Sequence, residues 1–318
     1  MTAKLTESAK GVYIIAATPF TEEGALDLQS IDTLTDFYLG CGVHGFTLLG
    51  MMGEAHKLTA DESLSVVNRV VDRAQGRQVI VGVSHAGLEN VRRLAHEVMV
   101  AGASGVMVAP PAGLKGDDGV YNYYAQVFKA LGPDIPVVYQ DYPQTTGVHL
   151  APSVFERMVD DFKQLVMLKH EDAPGLAKLS RVREGEKKPG RRRVSILVGN
   201  GGLYLPQEMR RGADGAMTGF AWPEMLVQVY ELFAAGKTED AEDLFDIYLP
   251  LVRHEQQPAI GLALRKEVLF HRGAIKSPRQ RAPGSSLTAT DRAELDGLMQ
   301  RLKRRLTAAG RGAKVAAE

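Results

Sequence analysis

The chain holds a single cysteine, Cys41, among 318 residues. One thiol excludes an internal disulfide and any multi-cysteine zinc or iron–sulfur site, and it suits a reducing compartment. Net charge is also missing: Lys plus Arg and Asp plus Glu both number 38. That balance gives no electrostatic basis for binding nucleic acid or an anionic membrane. No apolar run approaches the roughly 18–20 residues that a membrane span needs. The start, MTAKLTESAK, lacks the apolar stretch of a secretory signal. A cytoplasmic protein is expected, one whose partner is a small molecule. The histidines do not fall at ligand spacings such as His-x-x-x-His, so no metal site is expected.

What is present reads as a folded globular protein, 45% hydrophobic and 24% charged. Short apolar, β-rich runs recur at Val12–Ala17, Gly45–Leu49, Val79–Val83, Gly105–Ala109, Ile135–Gln140, Leu165–Lys169, Val194–Val198 and Ala213–Thr218. Each is apolar on both faces and closed by Gly, Pro or a polar residue, as strands buried on both sides are. Helical patterns alternate with them: Asp27–Leu39, the capping box Thr59-Ala60-Asp61-Glu62 with the valines after it, Leu88–Val100, Val120–Leu131, Pro152–Val159, Pro174–Arg183, Leu203–Arg211 and Pro223–Ala235. Eight strands alternating with eight helices predict a (β/α)8 TIM barrel, an α/β fold. A doubly wound open sheet is the alternative, but no Gly-x-Gly-x-x-Gly follows the first strand. After Ala235 the strand signals stop. The expected organisation is a barrel over 8–235, a C-terminal helical extension over 236–308 and a flexible tail over 309–318. The run EGEKKPGRRR, Glu184–Arg193, reads as a charged connection before the seventh strand, with a phosphate patch as its alternative.

In such a barrel, chemistry sits at the C-terminal ends of the strands. Lys169 closes the sixth strand after Leu165-Val166-Met167-Leu168. Burial there favours the neutral amine, the nucleophile that attacks a carbonyl. The alternative is a lysine paired with Glu171 or Asp141. Tyr139 ends the preceding strand and offers a phenol for proton transfer, or simply packing with a bonded hydroxyl. The turn Gly50-Met51-Met52-Gly53 allows close backbone approach, and its N–H groups can hold a carboxylate. An ordinary strand-to-helix turn is its alternative, with Glu54 bracing the mouth. Met51 and Met52 read either as an apolar side of the pocket or as gap-filling packing. The glycine-rich run Gly212–Gly219 suggests a phosphate site or a tight glycine turn.

Together these residues resemble the dihydrodipicolinate synthase/N-acetylneuraminate lyase family of class I lyases. The carriers are Ala17-Thr18-Pro19-Phe20, Gly50–Glu54, Val138-Tyr139-Gln140, Leu168-Lys169-His170-Glu171, Gly199-Asn200 and Gly215-Ala216-Met217-Thr218, in that order along nearly the whole chain. The resemblance implies that Lys169 forms an imine with pyruvate or a longer 2-oxo acid and that Tyr139 shuttles protons. It also implies that the Gly50–Gly53 turn holds the carboxylate and that Met217 touches the pyruvate moiety. Gly199 belongs to the same site, and Thr18, Gln140, Asp141 and Asn200 are candidates for meeting substrate hydroxyls. Asp141 or Glu171 could assist a dehydration. No metal or organic cofactor is implied, because the imine itself is the electron sink. A homo-oligomer, tetramer or dimer, is implied as well.

The departures narrow the activity. Methionines replace both threonines of the turn. After the fourth strand stands Ala109-Pro110-Pro111-Ala112-Gly113, where synthases carry a second tyrosine. No arginine follows in Pro143-Gln144-Thr145-Thr146-Gly147. Tyr142 is a rival to Tyr139 as the proton shuttle. Gln140-Asp141 and Leu249–Glu255 look more like the branch that cleaves or dehydrates 2-keto-3-deoxy sugar acids. A synthase of lysine biosynthesis and a catalytically idle barrel that binds a 2-oxo acid are the competing expectations.

Overall fold

The computed structural model describes residues 3–311. Eight parallel strands close into a barrel in chain order: β1 Gly11–Ile15, β2 Gly45–Leu48, β3 Gln78–Gly82, β4 Gly105–Val108, β5 Val137–Asp141, β6 Leu165–His170, β7 Ser195–Val198 and β8 Gly215–Ala216. The seam pairs Gly11 with Gly215 and Val12 with Ala216. Glycine is required there: a Cβ on Gly215, whose φ is +145°, would lie 2.0 Å from the Gly11 carbonyl oxygen. The glycine-rich run before Gly219 is thus a seam of close backbone approach.

Around the strands lie α1 Leu28–Gly40, α2 Ala60–Arg73, α3 Leu88–Val100, α4 Gly116–Leu131, the short α5 Pro143–Thr146, α6 Pro152–Asp161, α7 Leu176–Gly185, α8 Leu205–Arg210 and α9 Pro223–Ala234. Their starts follow the sequence signals. Asp27 caps α1 by accepting from the Ser30 N–H at 3.0 Å, and Thr59 and Glu62 form both bonds of the capping box on α2. The sequence did not announce α5 or the 3₁₀ turns Met51–Gly53, Ala55–Lys57 and Asn200–Gly202. They are too short to show a period.

The strands divide the interior in two. Alternate side chains point into the barrel, where Tyr13, Ile15, Ile80, Val138, Met167, Leu197 and Met217 pack together. The others point outward and fill the layer between strands and helices. This alternation slips once. The β5–β6 register runs Val137↔Leu165 and then Val138↔Met167, leaving Val166 as an extra residue on β6. Val166 and Met167 both join the inner cluster. The bulge therefore reverses the parity of everything after it. Without it Lys169 would face the helices; with it, Lys169 stands opposite Gln140.

Beyond the barrel, α10 Thr238–Glu255, α11 Gly261–His271 and α12 Ala289–Ala308 complete the chain, with α10 packed on α9 and α12. Of the expected tail, residues 312–318 lie outside the described residues. Ala309 and Arg311 still close α12, donating to the carbonyls of Arg305 at 3.0 Å and Leu306 at 2.9 Å.

Candidate active site

Lys169 is the side chain around which the barrel mouth is organised. Its Nζ lies 2.8 Å from Glu171 Oε1. Gln140 Nε2 donates to the same oxygen at 2.8 Å. Lys169 is 2% exposed and Glu171 7%. Two neighbours make room for the carboxylate and hold its backbone. A Cβ on Gly199 would sit 2.3 Å from Glu171 Cγ, so glycine is what admits the side chain. Asn200 Nδ2 donates to the Glu171 carbonyl at 3.0 Å. Chemically, the pair is an amine beside a base able to take its proton, a condition for attack on a carbonyl.

Tyr139 does not belong to this group. It stands one residue from Gln140 and so points to the opposite side of the sheet. Its ring stacks on Tyr124, with centroids 4.5 Å apart, and meets Phe155 edge-on. Burial, and then the Asp141 charge, push the phenol well above its ordinary value. A phenol so placed cannot shuttle protons at Lys169. Asp141 is corrected for the same reason. It faces outward, 2.6 Å from Lys178 Nζ of α7, and meets no substrate hydroxyl. The phenol that feels Glu171 is that of Tyr142, raised first by burial and further by that carboxylate.

The Gly50 turn forms the opposite lip. The N–H groups of Met51 and Met52 open a 3₁₀ turn and have no acceptor within it. Gly53 and Glu54 donate back to Gly50 and Met51, both at 3.0 Å. Thr18 is buried, and its hydroxyl donates to the Gly53 carbonyl at 2.6 Å. It braces the turn, which uses its one donor. The two methionines divide their roles. Met51 is 39% exposed on the pocket wall, while Met52 packs against the inner cluster that contains the buried Met217. A cavity of about 580 Å³ opens between Gly50, Met51, Ser84, His85, Met107 and Gln140. Its volume suits a small organic acid. Its outer end is flanked by Asn90 and Arg93 of α3. Sequence reasoning missed both, because on an amphipathic helix they read as solvent-facing positions. Among the described residues, no cluster of three or more His, Cys, Asp or Glu is placed to hold a metal ion. No described helix is long and apolar enough to cross a membrane.

Comparison with known proteins agrees with this fold. Residues 8–302 match the Dihydrodipicolinate synthetase family. A crystal structure of dihydrodipicolinate synthase from Rhodopseudomonas palustris superposes with a TM-score of 0.92 at 50% identity, covering 94% of this chain and 100% of that one. An L-2-keto-3-deoxyarabonate dehydratase of Azospirillum brasilense is 29% identical over 95% of this chain and 97% of its own. A 4-hydroxy-tetrahydrodipicolinate synthase of Thermus thermophilus is 32% identical over 71% of this chain and 75% of its own.

Proposed function

The chain belongs to the dihydrodipicolinate synthetase family and is a class I lyase; within it, we propose that this protein dehydrates a 2-keto-3-deoxy sugar acid through an imine on Lys169. The observation that carries the reading is the Lys169–Glu171–Gln140 contact, a carboxylate 2.8 Å from the amine that would form the imine. No tyrosine occupies the inward position beside that amine; Gln140 does. The dehydratase of Azospirillum brasilense is similar to this chain over nearly all of both lengths, which supports the same branch.

The chemistry follows from the positions. The backbone N–H groups of Met51 and Met52 receive the substrate carboxylate and orient the keto carbon. Lys169 passes its proton to Glu171 and attacks C2; Glu171 returns that proton to the carbinolamine hydroxyl, which leaves as water and gives the iminium ion. That ion acidifies C3. Glu171 takes a C3 proton, leaving an enamine, and returns it to the departing C4 hydroxyl. Water then releases the unsaturated 2-oxo acid and restores the amine, for a net loss of one water. Gln140 holds Glu171 in place.

The test is borohydride reduction in the presence of pyruvate, with peptide mapping, followed by a panel of 2-keto-3-deoxy acids. An adduct on Lys169 and water loss from a panel member are expected. An adduct on another lysine, or none, overturns the mechanism. The named relatives also include synthases. Condensation of pyruvate with an amino-aldehyde acid, without dehydration of any panel member, assigns the chain to that activity instead.

A further inference from the structure

We propose that Lys266 of α11 is a positioning residue of this site, fixing the Gly50–Glu54 turn through Glu54 so that its N–H groups can receive the substrate carboxylate. The inference rests on the reading above, in which that turn is the carboxylate-binding lip.

The turn does not hold its shape unaided. Leu49 and Glu54 flank it with φ of 53° and 54°, left-handed conformations at non-glycine residues. Such conformations persist when the surroundings over-determine them. Inside the turn there are only the two backbone bonds that Gly53 and Glu54 donate. Besides the Thr18 hydroxyl on the Gly53 carbonyl, the surroundings act through the Glu54 side chain, which is fully buried.

Three donors converge on that carboxylate. Lys57 Nζ lies 2.7 Å from Oε2. The Arg281 backbone N–H donates to Oε2 at 3.1 Å. Lys266 Nζ lies 2.5 Å from Oε1. Lys57 follows three residues after Glu54 and would move with it. Lys266 comes from 212 residues away and is itself fully buried. Its Nζ also donates to the Arg279 carbonyl at 2.9 Å and lies 4.6 Å from the Phe20 ring centroid. Arg281 rests on the same ring and binds both carboxylate oxygens of Glu62, at 2.7 and 2.6 Å. The segment after α11 is therefore anchored to β1's loop and to α2. Lys266 ties that fixed frame to the turn.

A residue that only stabilises the fold would lower the melting temperature and leave the affinity of folded molecules alone. A positioning residue splits the effect. Lys266→Met keeps the length and removes the charge; Glu54→Gln keeps the shape and removes it from the other end. The experiment measures borohydride trapping of pyruvate against pyruvate concentration, giving a half-saturation value and a limiting rate. In each variant, half-saturation should rise about tenfold or more while the limiting rate stays within about threefold. The double variant should be no worse than either single one, because both remove one contact. A folded Lys266→Met protein with wild-type half-saturation overturns the proposal. So does an effect carried wholly by the limiting rate.

Should Lys266→Met fail to fold, Glu54→Gln carries the same prediction. Should the wild-type protein trap no pyruvate, the functional reading fails, and amide hydrogen exchange decides the positioning role separately. Faster exchange confined to residues 49–58 in the variants supports it. Unchanged exchange there, or faster exchange spread evenly over the strands, overturns it.

Discussion

The basic run at the N-terminal end of this barrel and the surroundings of Lys169 at its C-terminal end treat charge in opposite ways. At the N-terminal end the three arginines and Lys188 of the basic run before β7 are engaged, as is Arg183 of α7. Arg183 lies 2.6 Å from Asp214, and Arg193 holds the other oxygen of Asp214 at 2.7 Å. Arg192 pairs with Glu7 and donates to the carbonyls of Val159 and Phe162. Arg191 and Lys188 share Glu156. The Glu184–Arg193 segment is thus a clamp on the strand starts rather than a phosphate patch. At the C-terminal end, and behind it, polar atoms have capacity to spare. Lys169 has one acidic neighbour, and Glu208 Oε2 and His170 Nδ1 are buried with no hydrogen-bond partner among the described residues. Saturated charges fix structure. Under-satisfied ones are where chemistry or titration can occur.

The largest test of that contrast is to remove one charge at each end. Lys169→Ala should abolish borohydride trapping and lower turnover by about 10⁴-fold or more, with the melting temperature nearly unchanged. Next, Glu171→Gln should lower dehydration by about 10²–10⁴-fold while trapping of pyruvate, given time, still labels Lys169. If Glu171→Gln turned over normally, the base would have to be found elsewhere, and Tyr142 would be the next side chain to change. At the other end, Asp214→Asn weakens the contacts of the buried Asp214 with the largely buried Arg183 and the exposed Arg193. It should cost about 2–3 kcal/mol of stability, read from denaturant midpoints, while turnover per folded molecule stays at the wild-type value. A loss of turnover there would mean that the two ends are coupled.

How far the sequence carried this site turns on single residues. The strands were legible because runs such as Leu165–Leu168 are apolar on both faces, and the mouth followed from where those runs stop. Lys169 and Glu171 were thus visible as a possible pair. What could not be read was parity. Tyr139 and Gln140 are adjacent, and which of them faces Lys169 depends on a bulge at Val166 that no composition signal marks. The same one-step ambiguity misplaced Asp141. The contact between Glu54 and Lys266 was hidden for another reason. It joins residues 212 positions apart, through a helix whose buried positions include Arg265, Lys266 and Glu267 beside its apolar ones. Such a helix shows no clean stripe to betray which face is inward.

The last expected effect belongs to Glu208, and its sign separates the two ends most sharply. Burial raises its carboxyl to about 7, and His170 pulls it only part of the way back down. In the unfolded chain the same group has an ordinary value near 4.5. Between those values the folded protein holds a proton that the unfolded chain has released. Stability contributed by this group is therefore full below pH 4.5, falls as pH rises to about 7, and stays low above it. The loss is on the order of 3 kcal/mol. Glu208→Gln keeps the shape and removes the titration. It should match the wild-type protein at pH 5 and be more stable by about that amount at pH 8, measured as urea midpoints at both values. A variant equally stabilised at both pH values would show that Glu208 is not buried as a proton-holding acid. The paired carboxylate Asp214 sets the contrast: it has two arginine partners, where Glu208 Oε2 has no hydrogen-bond partner among the described residues. The part of the pH dependence of stability between 4.5 and 7 that Glu208 contributes should accordingly be removed by Glu208→Gln and survive changes to the clamp at the other end.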